Sequence, residues 1–283
     1  MRIFFLAILF SFLSSLCTQS ILAQQAEVVD VVWDLDWTLL YAVEKPILGD
    51  RHGTYIHTQE GYFRVADWAG QVLQFLDKHP GFRQSFYSGA SEGRLMEAME
   101  QIRLPDGRRA VDIAFRIKSK ADLVSVPDAP EEARFPDRFK KDMVRIDPII
   151  NLLRTIMVDD IYRFLPHAQE KNMLWLQETF DFVNSAAELG KGEFQPPSSR
   201  HWSLERNKLL WVLGVLMTAL EKAPRGDYID AVETVERADG REVISRYANK
   251  SLPLYIKGLI LLRDAGLDAP SVPLPKAGCR VVL

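Results

Sequence analysis

The chain has 283 residues, 47% of them hydrophobic, which is enough for one large or two ordinary domains with a sizeable buried core and excludes a disordered tail. Lys+Arg 35 against Asp+Glu 38 gives a formal charge of -3, so nucleic acid is not an expected partner. Two cysteines, Cys17 and Cys279, are too few for a disulfide framework or a cysteine zinc module, which leaves oxygen and nitrogen ligands for any metal chemistry.

Residues 1–23 carry one cation at Arg2, an apolar run over 3–16 and small residues near Ala23, the layout of a cleaved secretory signal peptide. The run is shorter than the roughly 20 residues a spanning helix needs, so a retained signal anchor is the weaker reading. Leu16 before Cys17 argues against a lipoprotein. The expectation is export, to a periplasm or beyond, with no stable membrane association after cleavage. The remaining chain has 34 basic residues against 38 acidic ones and a single thiol, which suits a bacterial export route. The sequon Asn249-Lys250-Ser251 reads as a chance occurrence.

Residues 28–33 form a short β-branched run interrupted only by Asp30 and predict a buried strand ending at Asp34. Residues 66–79 place Ala69, Val72, Leu73 and Leu76 at helical spacing and stop at His79-Pro80-Gly81. A second strand is expected over 84–87, breaking at Ser88-Gly89, and a helix over 92–102 with Leu95, Met96, Met99 and Ile102 on one face. Then follow a strand over 111–117, a helix over 147–153 opened by Asp147-Pro148, a strand over 155–158 ending at Asp159-Asp160, and a strand over 173–176. Long helices are expected over 204–221, 228–237 and 242–265, and an extended tail over 268–275. The apolar block 209–220, flanked by Lys208 and Glu221, is too short to span a bilayer and reads as a buried helix. Alternating strands and helices followed by helices alone predict an α/β core with a mostly parallel sheet over 24–180 and a helical region over 181–283.

Asp34-Leu35-Asp36-Trp37-Thr38 stands directly after the first strand, where open α/β sheets bind ligands. Ser88 ends the next strand, Lys141 lies in Lys140-Lys141-Asp142, and Asp159-Asp160 ends a third strand. Each residue alone reads as a turn former, a cap or a solvated charge. In order, and at strand ends, they point to one site.

These four motifs resemble those of the haloacid dehalogenase superfamily: an apolar strand ending in D-x-D-x-T, a strand ending in Ser or Thr, a Lys, and a strand ending in paired acids. Within it, DLDWTL, FYSGAS, KKDMVRI and IMVDDIYRFLP are similar to the phosphatases of the RNA polymerase II tail and their nuclear-envelope relatives, over roughly 28–176. The resemblance implies a Rossmann-like three-layer core and a Mg²⁺-dependent phosphatase. Trp37 is bulkier than the usual residue at its position, and an exported protein cannot share a nuclear substrate, so only the chemistry carries over.

By that resemblance Asp34 is the nucleophile that forms an aspartyl-phosphate, splitting a hard hydrolysis into two easier steps. Asp36 protonates the leaving oxygen and later takes a proton from water, and its carbonyl reaches the metal. Ser88 hydrogen-bonds a phosphoryl oxygen and Lys141, with Lys140 as fallback, neutralises charge. Asp159 and Asp160 complete the Mg²⁺ site with Asp34 and Asp36, relatives differing over which of the pair touches metal. Mg²⁺ reduces the repulsion between an attacking carboxylate and a phosphate dianion. The expected partner is a phosphorylated substrate, protein or small molecule, with the helical region either covering the site or binding a protein.

Two other readings compete. The fold could serve as a silent scaffold with the site closed by Trp37. Gly89-Ala90-Ser91-Glu92-Gly93 also matches the G-x-S-x-G nucleophile elbow, with Asp159 and His167 or His201 as triad partners, but no HGGG-type oxyanion loop accompanies it. The five histidines form no metal pair, no P-loop is present, and the basic stretches Arg108-Arg109 and 116–120 read as a solvated edge rather than as a guide for anions.

Overall fold

The computed structural model describes residues 28–176, 180–238, 252–268 and 272–275. The segment over 1–23 expected to be a signal peptide, Cys17, the sequon, residues 242–251 of the last expected helix and Cys279 lie outside the described residues.

A five-stranded parallel sheet organises the chain in the order β10-β9-β1-β5-β6. Its strands are β1 (Val29–Trp33), β5 (Phe82–Tyr87), β6 (Ile117–Lys118), β9 (Thr155–Asp159) and β10 (Met173–Trp175). A smaller antiparallel sheet of β2 (Leu40–Val43), β4 (Gly61–Val65) and β3 (Tyr55–Thr58) follows β1 directly. β7 (Val124–Ser125) and β8 (Phe139–Lys140) make a two-stranded ribbon on either side of the four-residue α3 (Phe135–Arg138). The other helices are α1 (Ala69–Lys78), α2 (Glu92–Gln101), α4 (Ser199–Arg206), α5 (Lys208–Lys222), α6 (Tyr228–Ala238) and α7 (Leu252–Asp264).

β1 is buried on both faces, and its alternate side chains belong to different cores. Val29, Val31 and Trp33 join Phe86, Ile156 and Val158 under α1, α2 and α5, whereas Val32 joins Tyr87, Met157 and Met173 on the other face. Asp30, inside this strand, is matched by the Arg83 guanidinium on β5 at 2.6 and 2.9 Å. The α5 block Leu209, Leu210, Trp211, Val212 and Leu213 is fully buried in the same core as the sheet. The α/β class with a mostly parallel sheet and a helical C-terminal region is therefore the observed one. Among the described residues no helix is long and apolar enough to cross a membrane.

α5 and α7 cross at two glycines. A Cβ on Gly214 would lie 2.1 Å from the Leu254 carbonyl oxygen, and one on Gly258 2.0 Å from that of Leu210. Only hydrogen at both positions permits this backbone approach.

Three expectations are corrected. Residues 147–153 form turns and a short 3-10 segment, not a helix, because Asp147 accepts the Ile149 amide and Asn151 the Leu153 amide, closing local turns that compete with helix. The second face of the sheet is thus covered by Met143, Ile146 and Leu165 from irregular segments. The strand expected over 111–117 is reduced to Ile117–Lys118, since Asp112 turns back onto the Arg109 amide and holds 110–113 as a 3-10 turn. The helix expected over 204–221 breaks at Asn207, whose side chain bonds the Ser203 and Val272 carbonyls and accepts the Trp68 indole N–H. The antiparallel sheet β2-β4-β3 went unanticipated.

Candidate active site

β1 and β9 run parallel in the register Trp33 to Val158, and the Asp34 amide extends the ladder to the Val158 carbonyl at 3.0 Å. Asp34 therefore leaves β1 at the carboxyl edge of the sheet beside Asp159, the last residue of β9, and Asp160. One carboxylate oxygen from each of Asp34, Asp159 and Asp160 can be chosen so that all lie within 4.8 Å of one another, and all three residues are buried.

Lys141 enters from the segment after β8, its amide fixed to the Phe164 carbonyl at 2.8 Å. Its ammonium is fully buried and meets Asp34 Oδ1 at 2.5 Å and Asp159 Oδ2 at 2.7 Å. Asp159 Oδ1 also accepts the Ile161 amide at 2.7 Å. The neighbouring Lys140 turns away, its ammonium on the Arg163 carbonyl.

Three carboxylates and one ammonium leave formal negative charge in a buried place, which is costly without a counter-ion. Burial pushes the Asp34 carboxyl well above its usual range; Lys141 opposes this, and Asp159, Asp160 and Asp36 add to it. For Lys141, burial favours the neutral amine but Asp159 and Asp34 more than offset it, so its pKa is raised. Lys141 is the group that stays charged, since two carboxylates grip it directly. Three oxygen donors within 4.8 Å of one another can face one cation, and an all-oxygen set is the kind that Mg²⁺ takes, with water at the remaining positions.

The loop after Asp34 is tight. The Leu35 carbonyl accepts the amides of Thr38, Leu39 and Leu40, and the Trp37 amide reaches the Leu40 carbonyl at 2.6 Å. This turn holds Trp37 at φ 59°, a left-handed conformation. For a bulky residue it costs about 1–2 kcal/mol and persists only where surroundings impose it. Asp36 is not among the three clustered carboxylates: its oxygens take both terminal nitrogens of Arg94, from α2. Thr38 is fully buried, and its hydroxyl has no hydrogen-bond partner among the described residues. Ser88 is fully buried at the carboxyl end of β5, next to β1, where its oxygen accepts the Ala90 amide at 3.1 Å.

Beside Asp160 opens a cleft of about 540 Å³, lined by Arg134, Pro136, Ile161, Tyr162, Arg163 and Trp175. The Tyr162 and Trp175 rings lie 5.5 Å apart. Four cations of the basic stretches are paired locally: Arg108 with Asp77 and Asp106, Arg109 with Asp112, Arg116 with Asp147, and Lys118 with Asp122, while Lys120 lies 5.7 Å from the centre of the Phe135 ring.

No family model matches the chain, and no curated protein matches it. Among solved structures it is similar to Fcp1, an essential RNA polymerase II CTD phosphatase. The identity is 16% and the TM-score 0.42, over 87% of this chain and 64% of that one. The chain thus spans somewhat less than two thirds of that protein's length. A fission yeast Fcp1 variant bound to beryllium fluoride is similar at 14% identity and a TM-score of 0.40, over 90% of this chain and 71% of that one.

The elbow sequence has another use here. Ser91 caps α2 by accepting the Arg94 amide, and its hydroxyl donates to Glu60. Asp159 is bound to Lys141, His201 to Ser198, and His167 lies 96% exposed against Glu170, so the three triad types are engaged elsewhere.

Two residues beside the site escaped the sequence reading. Arg94 leaves a signal, as a lone cation in line with Ala98 and Ile102 on the buried face of its helix. Lys208 reads in sequence as a flanking charge before an apolar block, yet it is buried with its ammonium on the Trp37 carbonyl and on Glu205.

Proposed function

We propose that the chain is a Mg²⁺-dependent phosphatase that hydrolyses phosphate monoesters through an aspartyl-phosphate on Asp34. The observation that carries this reading is the buried Lys141 ammonium on both Asp34 and Asp159, with Asp160 completing three clustered carboxylates. Asp34, Asp159, Asp160 and the Asp36 carbonyl would hold Mg²⁺, which when bound offsets the repulsion between the attacking carboxylate and the phosphate.

Asp34 attacks phosphorus, the ester P–O bond breaks, and the leaving oxygen takes a proton from Asp36; water, deprotonated by Asp36, then releases phosphate and frees the Asp34 carboxylate. Lys141 offsets negative charge on Asp34 and the transferring group, and Ser88 donates its hydroxyl proton to a phosphoryl oxygen. Arg94 holds Asp36 as the carboxylate, so before the first transfer Asp36 must leave Arg94 and take up a proton from solvent; the proton that it later removes from water restores the acid for the next cycle. The cleft beside Asp160 supports a substrate with bulk beyond the phosphate, a phosphorylated protein segment or a small ester of similar size.

Export by the segment over 1–23 belongs to the same proposal, and the mass of the mature chain tests it: a start after Ala23 is expected, and an intact amino terminus would overturn it. The reaction is tested by hydrolysis of an aryl phosphate with and without Mg²⁺, beside Asp34→Asn. Metal-dependent turnover lost in the variant is expected. Silence of the folded wild type across aryl phosphates and a phosphopeptide panel would favour the scaffold reading.

A further inference from the structure

The helical C-terminal region reaches the loop that carries Asp36. Lys208, the first residue of α5, is 3% exposed. A cation in a helix's first turn opposes the helix dipole, and a buried ammonium is costly, so neither position nor environment favours lysine here. Its partners account for it. The ammonium donates to the Trp37 carbonyl and to Glu205 Oε1 at 2.8 Å, and lies 4.4 Å from the centre of the Tyr41 ring. Glu205 Oε1 in turn accepts the Tyr41 hydroxyl at 2.8 Å.

Trp37 is the residue whose left-handed backbone turns the chain between Asp36 and Thr38. Its amide is held from inside the loop by the Leu40 carbonyl, and its carbonyl is held from outside by Lys208. The anchor is itself rigid. Asn207 beside it binds Trp68, Ser203 and Val272, and Arg206 binds Asp67 at 2.5 Å, with Asp67 also on Arg64 at 2.6 Å. The Arg64 and Arg206 guanidinium groups both lie against the Phe182 ring, at 4.5 and 4.6 Å from its centre. These contacts tie α4 and the start of α5 to the small sheet that begins where the Asp34–Leu40 loop ends.

We infer that Lys208 is a positioning residue for phosphoryl transfer: by holding the Trp37 carbonyl it fixes the left-handed turn that aims Asp36 at the leaving group. The inference rests on the phosphatase reading for its catalytic consequence, while the hold on the loop can be measured without turnover. It gives residues 199–208 a role in cis, as part of the machinery rather than a cover or a docking module.

The test uses the full mature chain and Lys208→Met, which keeps the stem but removes the donor. Hydrogen exchange reads the Thr38, Leu39 and Leu40 amides, and turnover is compared on phenyl phosphate, a poor leaving group that needs protonation, and para-nitrophenyl phosphate, a good one. We expect exchange at those amides to quicken about tenfold while the sheet core stays protected. Turnover of phenyl phosphate should fall about tenfold or more, that of the nitrophenyl ester much less, with KM for both little changed. Lys208→Arg, which keeps the charge and the donor, should recover part of the loss. If Lys208→Met does not fold, Lys208→Gln is read in the same way. Wild-type protection of the loop in a folded variant, or equal loss on both esters, would overturn the inference. Full turnover by Asp34→Asn would instead count against the phosphatase reading, with the exchange result then deciding the hold on the loop by itself.

Discussion

Replacing Lys141 by methionine keeps the stem and deletes the charge at the centre of the site. The ammonium meets Asp34 at 2.5 Å and Asp159 at 2.7 Å with no solvent exposure. At an effective dielectric near 20, each contact amounts to about 6–7 kcal/mol of gross attraction. Desolvating the ammonium takes back several kcal/mol, and the orphaned carboxylates can escape by binding a proton or drawing in water. What remains is the roughly 3–5 kcal/mol typical of breaking a buried pair on one side. For a chain of this size that is about 6–20 °C in Tm. The assay is urea denaturation of the metal-free protein at pH 7, with the m-value checked for constancy. Mg²⁺ should restore part of the loss, because a cation again stands among the carboxylates. A stability within about 1 kcal/mol of wild type, at unchanged m, would refute the claim that Lys141 compensates a buried carboxylate cluster.

Asp34→Asn should cost the metal-free protein less than Lys141→Met, since the amide oxygen can still accept from Lys141 and burial disfavours the Asp34 charge; a loss in Tm as large as that of Lys141→Met would contradict this. Mg²⁺ at a hundred times its Kd should stabilise wild type by about 2.7 kcal/mol and the variant far less, as a thermal shift would show. Ser88→Ala should cost about 10²-fold in kcat/KM toward an aryl phosphate with the fold retained, a size fitting one lost donor to the transferring group. Gly258→Ala should destabilise by about 1–3 kcal/mol or more, because its Cβ would lie 2.0 Å from the Leu210 carbonyl oxygen; an unchanged denaturation midpoint would contradict the close crossing of α5 and α7.

What could be read in the sequence followed hydrophobic patterning. The core strand ending at Asp34 shows as a β-branched run, and α1 and α2 show as apolar stripes, because each buries a face through near neighbours in sequence. The four motifs stand out because each follows such a strand or forms a distinctive phrase, and the fold brings Asp34, Lys141, Asp159 and Asp160 of them together. The failures lie where side chains overrule pattern: Asp112, Asp147 and Asn151 capture backbone amides and replace a strand and a helix by 3-10 turns, and Asn207 splits a long helix. The strands of the small sheet β2-β4-β3 are only four or five residues long, and they bury Thr58 and Arg64 while exposing Ala42, so no apolar alternation marks them. Arg94 and Lys208 meet the motif loop from 58 and 171 residues away, and such pairings follow from topology, not from local composition.

The proposed mechanism requires Asp34 to become covalently phosphorylated during turnover. Acid quench of the wild type with an aryl phosphate and Mg²⁺, followed by mass analysis of peptides, should find one phosphoryl group on the peptide bearing Asp34, absent without Mg²⁺ and absent in Asp34→Asn. Metal-dependent turnover with the phosphoryl group on another residue, or undiminished turnover by Asp34→Asn, would contradict it.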